Sequence, residues 1–154
     1  MSNVIKLKPN CTTHDLNNPA DGELVLIPKG WYEATLTNWK TGYLFGVPKV
    51  VMMFSITDMG EHFGKVIPKY YNVKRLLNKQ GIKGKFVAKP RGDLLKDWYS
   101  LFPDSPVLRT DKIPITKMQR EPLMVQVDTV KKDYQQKEYA PQMHYSTIRS
   151  LKIT

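Results

Sequence analysis

Apolar and polar positions alternate along several stretches of this chain, and in one place they fall into a helical stripe. From Gly30, GWYEATLTNW puts Tyr32, Ala34 and Leu36 on one face and Glu33, Thr35 and Thr37 on the other. That is the pattern of a half-buried strand, and strict alternation assigns Trp31 and Trp39 to its polar face. The following KTGYLFGVP reads as a loop. In KVVMMFSITD, Val50, Met52, Phe54 and Ile56 share one face while Val51 and Met53 occupy the other. Both faces are apolar, so this strand is central. Asp58-Met59-Gly60 marks a turn, and GKVIPKYYNVK is a third strand. Pro68 inside it cannot donate to a ladder, which implies an edge or a bulge.

Glycines punctuate NKQGIKGKFVAKPRG, a loop or hairpin around a short strand at 85–88. Leu94, Leu95, Trp98, Leu101 and Phe102 then form one helical stripe, with Asp93 placed to cap it. FPDSP stops the helix, and the residues up to Pro122 are loop-like with one turn at 115–118. LMVQVDTV is a fourth strand, KKDYQQKEYAPQM a polar connection, and HYSTIRSLKIT a fifth strand whose alternation breaks at Arg149-Ser150, where a bulge is predicted. The order β-β-β, helix-bearing excursion, β-β predicts a mainly β fold with one helix. Its closed form is a five-stranded OB-like barrel with the helix between strands three and four; an open meander packed on one helix fits as well. Residues 28–154 form this single domain. Residues 1–27 read as an N-terminal arm or edge strand carrying Val4, Ile5 and Leu7.

At 154 residues, 41% hydrophobic and 25% charged, the chain suits one globular domain and excludes wholesale disorder. The net charge of +10 and pI near 9.6 change the picture more. They predict attraction to nucleic acid or to an anionic membrane surface. The membrane is the weaker expectation, because no apolar run approaches the roughly 20 residues of a spanning helix and no long basic amphipathic helix appears. The N-terminal sequence lacks the apolar core of a signal peptide. Cys11 is alone and His14, His62 and His144 are far apart, so a cytoplasmic chain without metal or cofactor is expected.

The charge is concentrated. Residues 65–91 hold nine lysines and arginines and no acid, although the chain has 14 carboxylates. Lys65, Lys69, Lys74, Arg75, Lys79, Lys83, Lys85, Lys89 and Arg91 offer charges to phosphates. Tyr70, Tyr71 and Phe86 offer flat faces, and alternation must send one of the two tyrosines inward. A cationic groove lined with aromatics holds single strands without strong sequence preference. WKTGYLFGVPK repeats the theme with Trp39, Tyr43, Phe45, Lys40 and Lys49, although Trp39 and Phe45 equally suit the plug of a barrel end. VKKDYQQKEY repeats it with Lys131, Lys132, Tyr134 and Lys137, diluted by Asp133 and Glu138. Trp39, Tyr43, Tyr71 and Tyr134 are the stacking candidates. Catalysis is not expected: Asp93 and Asp97 are accounted for by capping and by surface polarity, and no phosphate-cradling glycine loop exists.

The runs P-K-G-W-Y-E-A, P-K-V-V-M-M-F-S-I and H-F-G-K-V-I-P-K-Y-Y-N-V resemble small proteins of bacteriophages and integrative elements. L-M-V-Q-V-D-T-V and H-Y-S-T-I-R-S-L-K-I suit the same family's closing strands, so the resemblance covers residues 28–153. It implies an OB-type barrel that binds single-stranded DNA during replication or recombination, without catalysis. The chain departs from common single-strand binders by ending RSLKIT rather than in an acidic tail, which puts tail-mediated recruitment of replication or recombination proteins in doubt. RNA in place of DNA, and assembly into homo-oligomers, stay open. The alternative is a basic interaction module that docks on an acidic host protein.

Overall fold

The computed structural model describes residues 25–133 and 135–154. The arm residues Val4, Ile5 and Leu7, and the candidate Tyr134, lie outside the described residues. The elements are β1 (Gly30–Leu44), β2 (Val47–Ile56), β3 (Val66–Leu77), β4 (Lys85–Ala88), α1 (Asp93–Leu101), α2 (Ile115–Gln119), β5 (Leu123–Val130) and β6 (Tyr145–Ile153), with a 3-10 turn at Pro141–Met143. All strand pairs are antiparallel, in the order β4-β3-β2-β1-β5-β6. The mainly β class holds. The closed five-stranded barrel does not: the sheet has six strands and is open, and α1 follows β4 and is joined by a second, shorter helix.

The reason for the opening is visible in β3. β4 pairs only with Val73–Leu77, so the first half of β3 is an edge facing β6. Pro68 sits there and has no N–H to give. Its carbonyl instead accepts from Thr147 Oγ1 at 3.1 Å. Across the seam, the β6 register slips between its pairs to Gln126 and Val127, leaving Arg149 as the bulged residue the alternation predicts. With no donor on one side and a bulge on the other, a regular ladder gives way to side-chain bonds. Lys69 Nζ donates to the Arg149 carbonyl at 3.0 Å as the second of them.

The core fills the concave face of the sheet. Ala34, Leu36, Val50, Met52, Phe54, Ile56, Ile67, Tyr71, Val73, Leu123, Val125, Val127, Ile148 and Leu151 meet Leu94, Leu95, Trp98 and Leu101 of α1. The helix begins with Gly92 at its N-cap and no side-chain cap bond. Asp93, expected to cap, is instead the first helical residue, where its charge suits the helix dipole. Val25–Ile27 also belong to the folded body: Ile27 is buried, its N–H bonds Ser146 Oγ, and Ser146 N–H bonds the Val25 carbonyl.

α1 packs against β3 and β6, and one carboxylate fastens it there. Tyr71 Oη donates to Asp97 Oδ2 at 2.6 Å, Lys69 Nζ lies 3.7 Å from the same oxygen, and that ammonium stands 5.0 Å from the Tyr71 ring centroid. Burial, reinforced by the Asp97 charge, raises the Tyr71 hydroxyl well above its usual value near 10. A folded pKa above the unfolded one contributes stability that is complete below about pH 10 and lost as pH rises further. Tyr71→Phe is therefore expected to cost about 1.5–3 kcal/mol at pH 8 in urea denaturation, with the gap to the parent narrowing above pH 10. A gap independent of pH would show that the hydroxyl is not held in this way.

Candidate nucleic-acid interface

β1 does not end at Trp39 but runs on to Leu44, so KTGYLFGVP is a hairpin rather than a loop. Leu36 pairs with Phe54 and Asn38 with Met53, which leaves Thr37 as an extra residue. That bulge reverses the alternation. Trp39, assigned by strict alternation to the outer face with Trp31, is turned onto the face of Met52, where it packs against the core. The connection from β3 to β4 then folds back onto the free edge of β1. Thr41 N–H bonds the Gly81 carbonyl at 2.9 Å, Lys83 N–H bonds the Trp39 carbonyl at 2.8 Å, and Trp39 Nε1 bonds the Gly84 carbonyl at 3.3 Å. Thr41 Oγ1 also accepts from Gly81 N–H. These bonds place the β1–β2 tip beside the lysine-bearing residues 78–85. Between them lies an open depression of about 320 Å³ lined by Tyr43, Leu76, Asn78, Lys79 and Gln80.

Some of the described cations are neutralised by a carboxylate and others are not. Lys29 and Arg149 share Asp128, Lys69 holds Asp97, and Arg109 forks onto Asp111. Lys65, Lys74, Arg75, Lys79, Lys83, Lys85, Lys89 and Arg91 are exposed, and none reaches a carboxylate among the described residues. Lys49, on the outer face opposite Asn72, is half-buried, and its pKa is lowered by loss of solvent and then by the Lys89 charge. Lys49 and Lys89 thus repel each other, and no carboxylate among the described residues pairs with either.

Several expected site residues lie elsewhere. Tyr71 is 1% exposed, so its ring is closed to a stacking base, and Tyr70 is the one on the outer face. Lys69 is committed to the seam. Trp39 is half-buried with its indole N–H bonded, the plug of the two alternatives. Phe86 is core. Tyr43 is exposed and lines the depression. Lys131 and Lys132 are exposed on the β5–β6 connection, where the backbones of Lys132 and Glu138 form an isolated antiparallel pair. That connection and Lys65 lie toward the Gly30 end of β1, away from the hairpin tip. Lys49, Lys74, Arg75, Lys85, Lys89, Arg91 and Tyr43 therefore gather around the β1–β2 hairpin and β4, while Lys65, Lys131 and Lys132 stand apart. The alternation missed the exposed apolar residues Phe45 and Val47 at the hairpin tip and Ile82 of the folded-back segment, which pairs with Lys40. The only signal of the tip was Gly46, a turn glycine between two alternating runs.

No helix among the described residues is long and apolar enough to cross a membrane. Comparisons with protein-family models, with curated proteins and with solved structures return no match.

The folded-back segment is held by close approach at Gly84. A Cβ there would lie 2.0 Å from Thr41 Oγ1 and 3.0 Å from the Gly81 carbonyl oxygen. Gly84→Ala is expected to cost about 1–3 kcal/mol in urea denaturation and to shift Trp39 emission to longer wavelength as its bond to Gly84 lengthens. An unchanged midpoint and spectrum would mean that the segment does not rest on β1.

Proposed function

We propose that this chain is a non-catalytic single-stranded DNA-binding protein with an OB-like sheet. It coats exposed strands in replication or recombination, in the manner of the phage and mobile-element proteins its sequence resembles. The observation that carries the reading is the set of exposed cations gathered around β4 and the β1–β2 hairpin, none of which reaches a carboxylate among the described residues. A solvated surface mixes its charges. Lys49, its pKa lowered by loss of solvent and then by the Lys89 charge, and the exposed cations near it are relieved when phosphates arrive, because each phosphate removes repulsion and releases its own counterions. The sheet order supports the reading: β1 pairs with both β2 and β5, the core lies inside the curl, and α1 plugs the seam between β3 and β6, a layout akin to an OB barrel left unzipped. Lys49, Lys74, Arg75, Lys79, Lys83, Lys85, Lys89 and Arg91 hold the backbone, and Tyr43 offers a ring to a base.

A labelled single-stranded oligonucleotide and its matched duplex, titrated at about 50 and about 200 mM salt, test this. Preference for the single strand with affinity falling steeply in salt is expected. Lys85→Gln with Lys89→Gln should lower the log–log salt slope by about 1.4, from roughly 0.7 per phosphate contact on single strands. Equal weak binding to both forms would reduce the charge to a generic attraction. Absence of binding at low salt would overturn the reading in favour of an acidic protein partner.

A further inference from the structure

The sheet register lines up a row of polar side chains across three strands. Lys49 of β2 pairs with Asn72 of β3, and Ala88, the last residue of β4, pairs with Val73. One residue further along that ladder, Lys89 comes abreast of Asn72 on its other side. Val73 and Ala88 belong to the core, so alternation turns Asn72 and Lys89 to the outer face, where Lys49 also lies. Asn72 and Lys89 are exposed and Lys49 is half-buried. The row therefore carries an amide between two ammonium groups. Strands two apart lie roughly 10 Å from each other, a gap that two lysine stems can close over the amide. The two charges feel each other, since Lys89 contributes to the lowered pKa of Lys49. Neither lysine pairs with a carboxylate among the described residues.

Two neighbouring ammonium groups, one of them partly stripped of solvent, favour an anion placed between them. A phosphodiester suits the row: it carries one negative charge and two free oxygens, which accept charge-assisted bonds from both lysines and a further bond from the amide N–H of Asn72. Exposed cations continue past the row, with Lys74 and Arg75 beyond Asn72 on β3 and Arg91 two residues after Lys89. The repeated phosphates of one strand meet such a series, whereas a lone carboxylate on a protein partner needs a single lysine of it. We infer that Lys49, Asn72 and Lys89 together seat one phosphate of the bound strand. This rests on the single-strand reading above and deepens it: two lysines on different strands act as one contact, and an uncharged side chain belongs to the interface.

The test titrates the full chain with a labelled oligothymidylate between about 50 and about 200 mM salt. Loss of either lysine empties the seat. Lys49→Gln with Lys89→Gln is therefore expected to lower the log–log salt slope by about 0.7, the value for one phosphate contact on single strands, and no further than Lys89→Gln alone. Asn72→Ala is expected to weaken binding by about 2- to 12-fold, the equivalent of one hydrogen bond, with the slope unchanged. Lys49→Arg keeps the charge and is expected to keep the parental slope; a lower slope there would show that Lys49 shapes the sheet instead of holding an anion, and would overturn the inference. A drop of about 1.4 for the lysine pair, twice the value for one contact, would place the two lysines on separate phosphates. That result, or parental affinity in Asn72→Ala, would overturn the inference and leave the single-strand reading standing. A parent that binds no oligonucleotide at low salt would overturn both.

Discussion

Asp97 stands where three elements meet without a ladder to join them. β3 turns its proline-bearing edge toward a bulged β6, and neither offers the evenly spaced donors and acceptors that would zip the sheet shut. The carboxylate on α1 substitutes for that ladder by accepting a hydrogen bond from the Tyr71 hydroxyl and drawing in Lys69, whose ammonium reaches on to the Arg149 carbonyl. Everything on the concave face depends on this, because the core of β1, β2, β3, β5 and β6 is enclosed only while the helix covers the seam. Burying a tyrosine hydroxyl and most of a lysine is costly unless each finds a partner. Here they partner through a single acid, which turns two costs into a junction.

The same junction explains why the acid-free stretch is not uniform in role. Residues 65–91 span a whole strand, a reversal and a second strand, so one linear run of charge is distributed over different faces. Lys69 points inward, where Asp97 of α1 meets it. Lys74, Arg75, Lys79, Lys83, Lys85, Lys89 and Arg91 stay outside, exposed and out of reach of the described carboxylates. The charge census along the sequence therefore overstated the candidate site by two lysines, Lys65 and Lys69, and by two aromatics, Tyr71 and Phe86.

Much of the fold was legible in the sequence for reasons that particular residues illustrate. β2 was central because Val51 and Met53 made its second face apolar. α1 was readable from Leu94, Leu95, Trp98 and Leu101, since burial at helical spacing needs no tertiary information. The β6 bulge showed as a break in alternation at Arg149. What alternation missed were local departures from its own period. The extra residue at Thr37 reversed every side chain after it, which moved Trp39 from the outer face to the core side, and nothing in the local composition marks that position. The hairpin at Phe45–Gly46 was mistaken for a loop because its turn lacks the Asn or Asp that normally announces one. The open seam depended on Pro68 facing Thr147, a pairing 79 residues apart along the chain.

These misses are concentrated at the candidate interface, and the concentration has a physical basis. Sequence-to-structure rules describe what stabilises a fold, so a position chosen for another purpose departs from them. Phe45 violates the turn preference, Lys49 accepts both partial burial and a like charge, and Gly84 is required by close approach to Thr41 rather than by a positive φ. All three lie on the hairpin or on the segment folded against it, while the opposite end of β1 carries the paired cations Lys29 and Arg149 on Asp128. The local departures from stability thus share one place in the fold, where the β3–β4 connection lies on the free edge of β1, and it is there that the proposed binding of a single strand is located.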